Sequence, residues 1–326
     1  MTKQSRSRKH HKRNNKRTAG KIIFSIFMLM FTLIGAIAAY IGWQVYSDLR
    51  STTDEMYKPV EAQEQHTSRQ ERPLDVDKGE DPFSVLIMGV DTDGPDNMSG
   101  RSDTLMLLTI NPNTEKTSIV SIPRDTYTEI VGRGTMDKIN HAYAFGGTSM
   151  TVNTVQNLFD IPVDYYVSVN MEGMQQIVDA VGGIDVVPSL TFSQGEYTFV
   201  EGQTTHMDGA KALAYSRMRK NDPSGDYGRQ HRQRQVIEAT MQSVASLDSV
   251  MNYRSILGAM STNMRTNMAF EDMVDMFNNY RSSVSDVEQL QLSGSGTMMN
   301  GVYYEMIPDE EIARVQDHLK SELELN

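Results

Sequence analysis

Residues 22–43, IIFSIFMLMFTLIGAIAAYIGW, run for twenty-two positions without a charged side chain. A helix of that length covers the roughly 30 Å hydrocarbon core of a bilayer, and no other stretch restricts the chain so strongly. Tyr40 and Trp43 fall where interfacial aromatics belong. The flank before the run, residues 1–21, holds nine Lys or Arg and no acid, which places that end in the cytoplasm and everything after residue 43 outside. Ala36-Ile37-Ala38 also resembles a small-residue cleavage site, so a removed signal peptide is the competing reading. The apolar run continues past that point, which favours an uncleaved anchor: a single-pass protein of the cell membrane with an extracytoplasmic body.

The net charge of −11 conceals an asymmetry, because outside the basic tail 22 bases face 42 acids, a balance of −20. An acidic body argues against nucleic acid as a partner, since that binding draws most of its affinity from basic surface. Cysteine is absent, which excludes disulfides, thiolate metal sites and cysteine nucleophiles. There is no G-x-G-x-x-G or P-loop run either.

After the span, residues 44–81 turn polar with no sustained period and read as an extracytoplasmic linker. At residue 83 the pattern changes to FSVLIMGV, a continuous apolar run of strand length, followed by the acid-rich loop DTDGPDN. LMLLTI and TSIVSI, joined by the turn-like NPNTEK, predict an antiparallel pair. A helix is expected over 141–160 with a break at Gly146-Gly147, a strand at VDYYVSV, and a helix over 171–181. Short strands follow at 184–187 and 197–200, and a short helix over 207–215. Beyond these the spacing predicts helices over 236–247, 253–264, 270–280 and 310–323, with strands near 289–292 and 302–306. Strands and helices interleave without a second linker, so residues 82–326 read as one α/β domain.

Residues 215–235, YSRMRKNDPSGDYGRQHRQRQ, are the densest cationic run outside the tail, with six Lys or Arg between Arg217 and Arg234 against two acids. Arg217 and Arg219 share a face if the segment is extended, and Arg229, Arg232 and Gln233 fall at i, i+3 and i+4 of a helix. Converging arginines suit phosphate oxygens, and a polyanion such as pyrophosphate is the ligand they point to. A solvated basic helix face is the alternative reading. Further acids and arginines stand at strand ends, where ligand crevices of α/β sheets lie: Asp91, then Arg101 and Asp103, then Arg124 and Asp125 in SIPRD.

In order, GVDTD, RSDTLMLLTINP, SIPRDTY, KINHAYAFGG, DAVGGIDV, MDGAKALAYSRMRK and GDYGRQHRQRQ resemble the extracytoplasmic domain of the LytR-CpsA-Psr family over roughly residues 83–244. Little can be matched after residue 247. The resemblance implies a mixed central β-sheet flanked by helices, and an Mg²⁺-dependent phosphotransferase. Such an enzyme moves a teichoic acid or capsular polysaccharide from an undecaprenyl-pyrophosphate carrier onto the 6-hydroxyl of N-acetylmuramic acid in peptidoglycan, through a phosphodiester. Carried over by position, Arg101, Arg124, Arg217, Arg219 and Arg229 grip the pyrophosphate with Gln233 as a further contact, and Asp91 and Asp103 hold Mg²⁺. Asp125 either orients Arg124 or acts as base on the incoming hydroxyl. Arg232 is expected to serve the helix, and Lys220, His231 and Arg234 the surface. A lipid tail needs an apolar groove, for which flexible methionines such as Met174, Met207 and Met241 are suitable lining. Two other readings share these residues: a regulator that binds polyprenyl phosphates, and a hydrolase of the lipid pyrophosphate.

Overall fold

A computed structural model of the chain describes residues 40, 42–61, 63–91, 100–220, 222–245, 258, 260–284 and 286–325. The chain divides into two units, Met1–Ser51 and Thr52–Asn326. The basic tail and nearly all of the apolar run 22–43 lie outside the described residues, and among the described residues no helix is long and apolar enough to cross a membrane.

In the second unit the strands are β1 (Phe83–Asp91), β2 (Arg101–Asn111), β3 (Lys116–Ile122), β4 (Tyr127–Ile130), β5 (Thr135–Lys138), β6 (Tyr165–Asn170), β7 (Ile184–Val186), β8 (Phe192–Gln194), β9 (Tyr197–Phe199), β10 (Thr205–Met207), β11 (Met264–Thr266), β12 (Val287–Gln291), β13 (Ser295–Met299) and β14 (Val302–Met306). The helices are α1 (Thr67–Glu71), α2 (His141–Phe159), α3 (Met171–Ala180), α4 (Gly209–Arg217), α5 (Gly225–Ala245), α6 (Phe270–Asn279) and α7 (Asp309–Glu322).

The continuous apolar run of β1 is what a strand buried on both faces requires, and it lies inside a six-stranded mixed sheet of order β11-β6-β1-β2-β3-β12. The expected antiparallel pair forms between β2 and β3, with Leu105 opposite Ile122. Its turn is closed by Asn111, whose side chain accepts from the backbone N–H of Asn113 at 2.8 Å and of Thr114 at 3.2 Å. Successive residues of β2 alternate between two cores. Leu105 and Leu107 pack with Val152 and Phe159 of α2 and Leu319 of α7. Met106 and Leu108 face the other side, where Phe83 meets Tyr165 and Tyr280 edge-on at 5.7 and 5.0 Å. The expected break in α2 is present, with Gly147 at φ 62°, a backbone state that glycine adopts without steric cost.

Strand direction fixes what this sheet can do. β1 is parallel to β6 and β3 to β12, while β2 runs against both β1 and β3. The C-terminal ends of β1, β3, β6 and β12 therefore meet the N-terminal ends of β2 and β11 at one edge. Asp91, Arg101, Asp103, Asn170 and Gln291 all lie there.

Two expectations change. Of the helix expected over 253–264, the described residues 258 and 260–263 are helical, and Met264 instead starts β11, which pairs with β6; three residues are too few to show a strand period. The polar stretch read as a linker contributes to the second unit from residue 52 onward. Met56 and Val76 are buried, the Lys58 amide donates to the Thr266 carbonyl at 2.7 Å, and Tyr166 Oη donates to the Lys58 carbonyl at 2.7 Å. Its polar side chains bond to strand ends instead of forming an apolar stripe. Arg69 is the clearest case, donating to both oxygens of buried Asp164 at 2.7 and 2.8 Å, and Asp164 accepts the Ser84 amide at 2.9 Å.

Removing one member of a buried ion pair strands the other charge. Arg69→Ala is thus expected to lower unfolding free energy by roughly 3 kcal/mol, seen as a lower urea midpoint at constant slope. A loss below about 1 kcal/mol would show that Arg69 does not fasten this segment to the sheet.

Candidate active site

The site begins with an irregularity between β1 and β2. Gly89 pairs with Thr104 but Val90 pairs with Ser102, so Asp103 is left out of the ladder, and Asp91 faces Arg101 beyond it. A bulge of this kind re-aims one side chain. Here Asp103 Oδ2 accepts Arg124 Nη1 at 3.0 Å. Arg124 comes from the turn after β3, which is closed by Thr126 donating through its N–H and its hydroxyl to the Pro123 carbonyl at 3.0 and 2.7 Å. Asp125 in the same turn is paired with Lys138 Nζ at 2.8 Å and lies 3.8 Å from Arg124 Nε. Asn140 Nδ2 stands 3.5 Å from Asp103 Oδ1.

The opposing residues come from α4, α5 and the loop between them. Arg217 ends α4, and Met218 after it is extended, with φ −61° and ψ 131°; Arg217 is therefore helical and does not share a strand with Arg219. Asp226, in the first turn of α5, binds Arg229 Nη2 at 2.6 Å, lies 3.6 Å from Arg219 Nε and accepts Gln230 Nε2 at 3.0 Å. Burial pushes the Arg229 guanidinium below the usual arginine range; Asp226 opposes this, Arg124 and Arg219 add to it by repulsion, and Asp103 opposes it in turn. Arg124, Arg219 and Arg229 therefore share one electrostatic neighbourhood with Asp103 and Asp226. Two of its donors, Nε of Arg124 and Nε of Arg229, are buried with no hydrogen-bond partner among the described residues. Orphaned cationic donors of this kind suit anionic oxygens.

Arg232 is 1% exposed. It donates to Asp222 Oδ2 at 2.5 Å and to the Met218 carbonyl, and its guanidinium lies 5.3 Å from the Phe192 ring centre, so it fastens the loop to α5 as expected. Arg234 overturns its expectation, being buried rather than on the surface. Because α5 lies over the ends of β3 and β12, Arg234 reaches the sheet and donates to Ser121 Oγ at 2.6 Å, Gln291 Oε1 at 2.9 Å and Gln289 Oε1 at 3.2 Å. Burial pushes its pKa down to about 10. Lys220 is exposed, and His231 is half-buried, its pKa held down first by burial and then by Arg234 and Arg232.

Two cavities flank the arginines. An apolar groove of about 300 Å³ is lined by Ile87, Val167, Met174, Val236, Met241 and Met264 among others, with Arg217 and Gln233 as polar members. Met174 and Met241 thus line a groove, whereas Met207 is not in its lining and is buried with Phe199 and Tyr215 in the cluster against which Met174 packs. The second is a cleft of about 910 Å³ lined by Asp125, Arg217, Arg219, Lys220, Asp226, Tyr227, Tyr303 and Glu305. Arg217 belongs to both. Asp91 and Arg101 are exposed at the end of the β1–β2 ladder. Lys138, Asn140, Tyr227, Tyr303 and Glu305 were not singled out in the sequence, where each looks like an ordinary polar residue of a short strand or helix end.

A family model described as the LytR_cpsA_psr family matches residues 43–321. A polyisoprenyl-teichoic acid–peptidoglycan teichoic acid transferase TagU from Halalkalibacterium halodurans is 48% identical over 306 residues, 94% of this chain and 99% of that protein. The crystal structure of Bacillus subtilis TagU is 46% identical, covering 75% of this chain and 97% of that one, with a TM-score of 0.62. A structure of TagT bound to LIIa-WTA is 32% identical, covering 82% and 100%, with a TM-score of 0.68.

The two helix arginines separate by experiment. Arg232→Ala strands Asp222 in the interior and is expected to lower stability by roughly 3 kcal/mol. Arg229→Ala relieves repulsion as it loses a pair, and is expected to stay within about 1 kcal/mol of the parent while losing the thermal shift that inorganic pyrophosphate induces. Denaturation and thermal shift on both variants check this, and equal stability losses would refute the division.

Proposed function

The chain belongs to the LytR-CpsA-Psr family, and from that premise we propose that it transfers a teichoic acid or related glycopolymer from a polyisoprenyl-pyrophosphate carrier to peptidoglycan, joining them by a phosphodiester. The observation that carries this reading is Arg217, which lines both the apolar groove and the polar cleft. A lipid pyrophosphate with a glycan head has that sequence of parts: an apolar tail, an anionic link and a polar head. Helix α5 follows the same order, with Asp226 and Gln230 on the cleft and Gln233, Val236 and Met241 on the groove.

Phosphoryl transfer requires little covalent chemistry of the protein; it requires neutralised equatorial oxygens and an attacking and a leaving oxygen in line. On this reading Arg101, Arg124, Arg217, Arg219 and Arg229 bind the pyrophosphate, and Gln233 contacts it from the groove side. Asp125, held by Lys138 at 2.8 Å, acts as a positioning residue for Arg124. The donor set fits magnesium. Asp91 and Asp103 offer hard carboxylate oxygens, of which this ion takes one or two, and beside Asp103 the amide oxygen of Asn140 is buried with no hydrogen-bond partner among the described residues. When bound, the ion supplies neutralisation of charge on the phosphate oxygens. The reading also includes anchoring by residues 22–43 with a cytoplasmic N-terminus, supported by the uncharged run and the nine bases before it.

The test is product identity. With Mg²⁺, lipid-linked glycan and peptidoglycan, the chain should leave polymer covalently attached to the wall; free phosphorylated glycan alone would show a hydrolase instead. Arg124→Ala and Arg217→Ala should each cut transfer by about 100-fold or more and abolish the pyrophosphate-induced rise in Tm. Asp103→Ala should chiefly weaken the Mg²⁺ response, and an unaltered metal dependence would remove Asp103 from the metal site.

A further inference from the structure

The hairpin β13–β14 lies beyond the part of the chain that carries sequence motifs, yet it is fastened to the catalytic turn. The Glu305 amide donates to the Asp125 carbonyl at 2.8 Å, and Thr126 bridges to Glu305. On the hairpin, Tyr304 packs edge-on against Tyr127 at 5.0 Å. Glu305 accepts a phenol on each oxygen: Tyr227 Oη at 2.7 Å and Tyr303 Oη at 2.6 Å. Tyr227 Oη in turn accepts the Gly294 amide at 2.8 Å. The Tyr303 ring lies over Gly296, where a Cβ would come within 2.6 Å of it, so glycine is needed for the ring to lie there. Tyr303 is thus fixed at its hydroxyl and along its edge while 41% of the residue stays exposed. It faces the large cleft.

The cleft lining divides by chemistry. Arg217, Arg219 and Lys220 are cationic; Asp125, Asp222, Asp226 and Glu305, with Tyr227 and Tyr303, form an acidic and phenolic part. Three of these carboxylates are paired with cations, and Glu305, which is paired with phenols, is the one that opposes a phosphate-rich polymer. Carboxylates accept hydrogen bonds readily from neutral hydroxyls, since each has about four acceptor positions, and a fixed aromatic face packs against the C–H face of a sugar ring. The hydrogen bond to Glu305, then burial and the neighbouring acids, push the Tyr303 phenol up to about 12, so it stays protonated and the arrangement is constant across the physiological range.

We propose that Tyr303, with Tyr227 and Glu305, forms a saccharide subsite that receives the acceptor: a hydroxyl-rich amino-sugar strand rather than the phosphate-rich donor polymer. This rests on the transfer reading above, and in-line geometry supports it. The leaving group is the lipid phosphate, whose tail takes the groove, so the attacking hydroxyl approaches from the opposite side of phosphorus. Along α5 that side is the cleft, whose cationic part takes the donor's head and leaves the phenolic part to the acceptor. The acceptor oxygen bonds the phosphorus that carries the glycopolymer, the bond to the lipid phosphate breaks with its electron pair leaving on that phosphate, and the hydroxyl proton passes to water.

The experiment uses the full chain in detergent, with undecorated peptidoglycan glycan strands as probe, titrated calorimetrically and varied as acceptor in the transfer assay. Tyr303→Ala should weaken strand binding and raise the acceptor KM roughly tenfold, with kcat held within about twofold. Tyr303→Phe, which keeps the ring, should lose only about threefold, and Tyr303→Trp should recover most of the affinity. The rise in Tm with inorganic pyrophosphate should persist in all three. Strand binding by Tyr303→Ala as tight as the parent's overturns the subsite, as does a loss confined to kcat and to the pyrophosphate response. If Tyr303→Ala fails to fold, the contrast between Phe and Trp decides. A parent that binds strands but transfers nothing would defeat the proposed function while leaving the subsite standing.

Discussion

Gathering arginines at one edge of a sheet is the constraint on which the rest of this structure depends. Two like charges about 4 Å apart repel by roughly 4 kcal/mol at an effective dielectric near 20, which is comparable with the whole stability of a domain. The chain meets this by interleaving acids. Asp103 pairs with Arg124, and Asp226 binds Arg229 while Arg219 stays within 3.6 Å. Neither acid neutralises its partners fully. Nε of both Arg124 and Arg229 remains buried without a hydrogen-bond partner among the described residues. The acids hold the arginines in place and leave part of their donor capacity unmet.

Placement of these groups follows from sheet polarity and from what lies beneath α5. A relay of side-chain hydrogen bonds joins Asp226 to Gln230 at 3.0 Å, Gln230 to Gln291 at 2.7 Å, Gln291 to Arg234 at 2.9 Å and Arg234 to Ser121 at 2.6 Å. It connects the acid that orders the arginines to strands β12 and β3. Arg234 meets only neutral oxygens in this relay, so its charge is solvated by dipoles. That arrangement fixes geometry and also leaves a positive field beneath the site.

What the sequence made legible had a period or a tight local pattern. The runs FSVLIMGV, LMLLTI and TSIVSI gave β1, β2 and β3 because burial on both faces demands continuous apolar residues. The strand-end positions of Asp103, Arg124 and Asp125 followed from them. The fates of Arg232 and Arg234 depended on which face of α5 meets the sheet. Arg232 could be suspected of a helix role by spacing, but Arg234 needed the docking angle. Residues 52–81 were illegible because their contribution is made by polar side chains bonding to strand ends, which resembles solvated sequence. The β13–β14 hairpin showed one expected strand, yet its link to Asp125 runs through backbone atoms that carry no sequence signal.

The division between groove and cleft also bears on where selectivity resides. Burying a CH₂ is worth about 0.8 kcal/mol against water, but a polyisoprenyl tail arrives from a bilayer already as apolar as the Met174 and Met241 side chains that line the groove. Transfer between two apolar surroundings gains little. On the proposed function the groove would therefore align the tail without supplying much affinity, and binding energy would fall on the arginines, which would exchange hydrated phosphate contacts for fixed ones. Arginines in that role would read only charge and phosphate geometry and would not distinguish one glycopolymer from another. On that reading, discrimination among glycopolymers falls to groups beyond the phosphate and outside the carboxylate and phenol part of the cleft proposed for the acceptor.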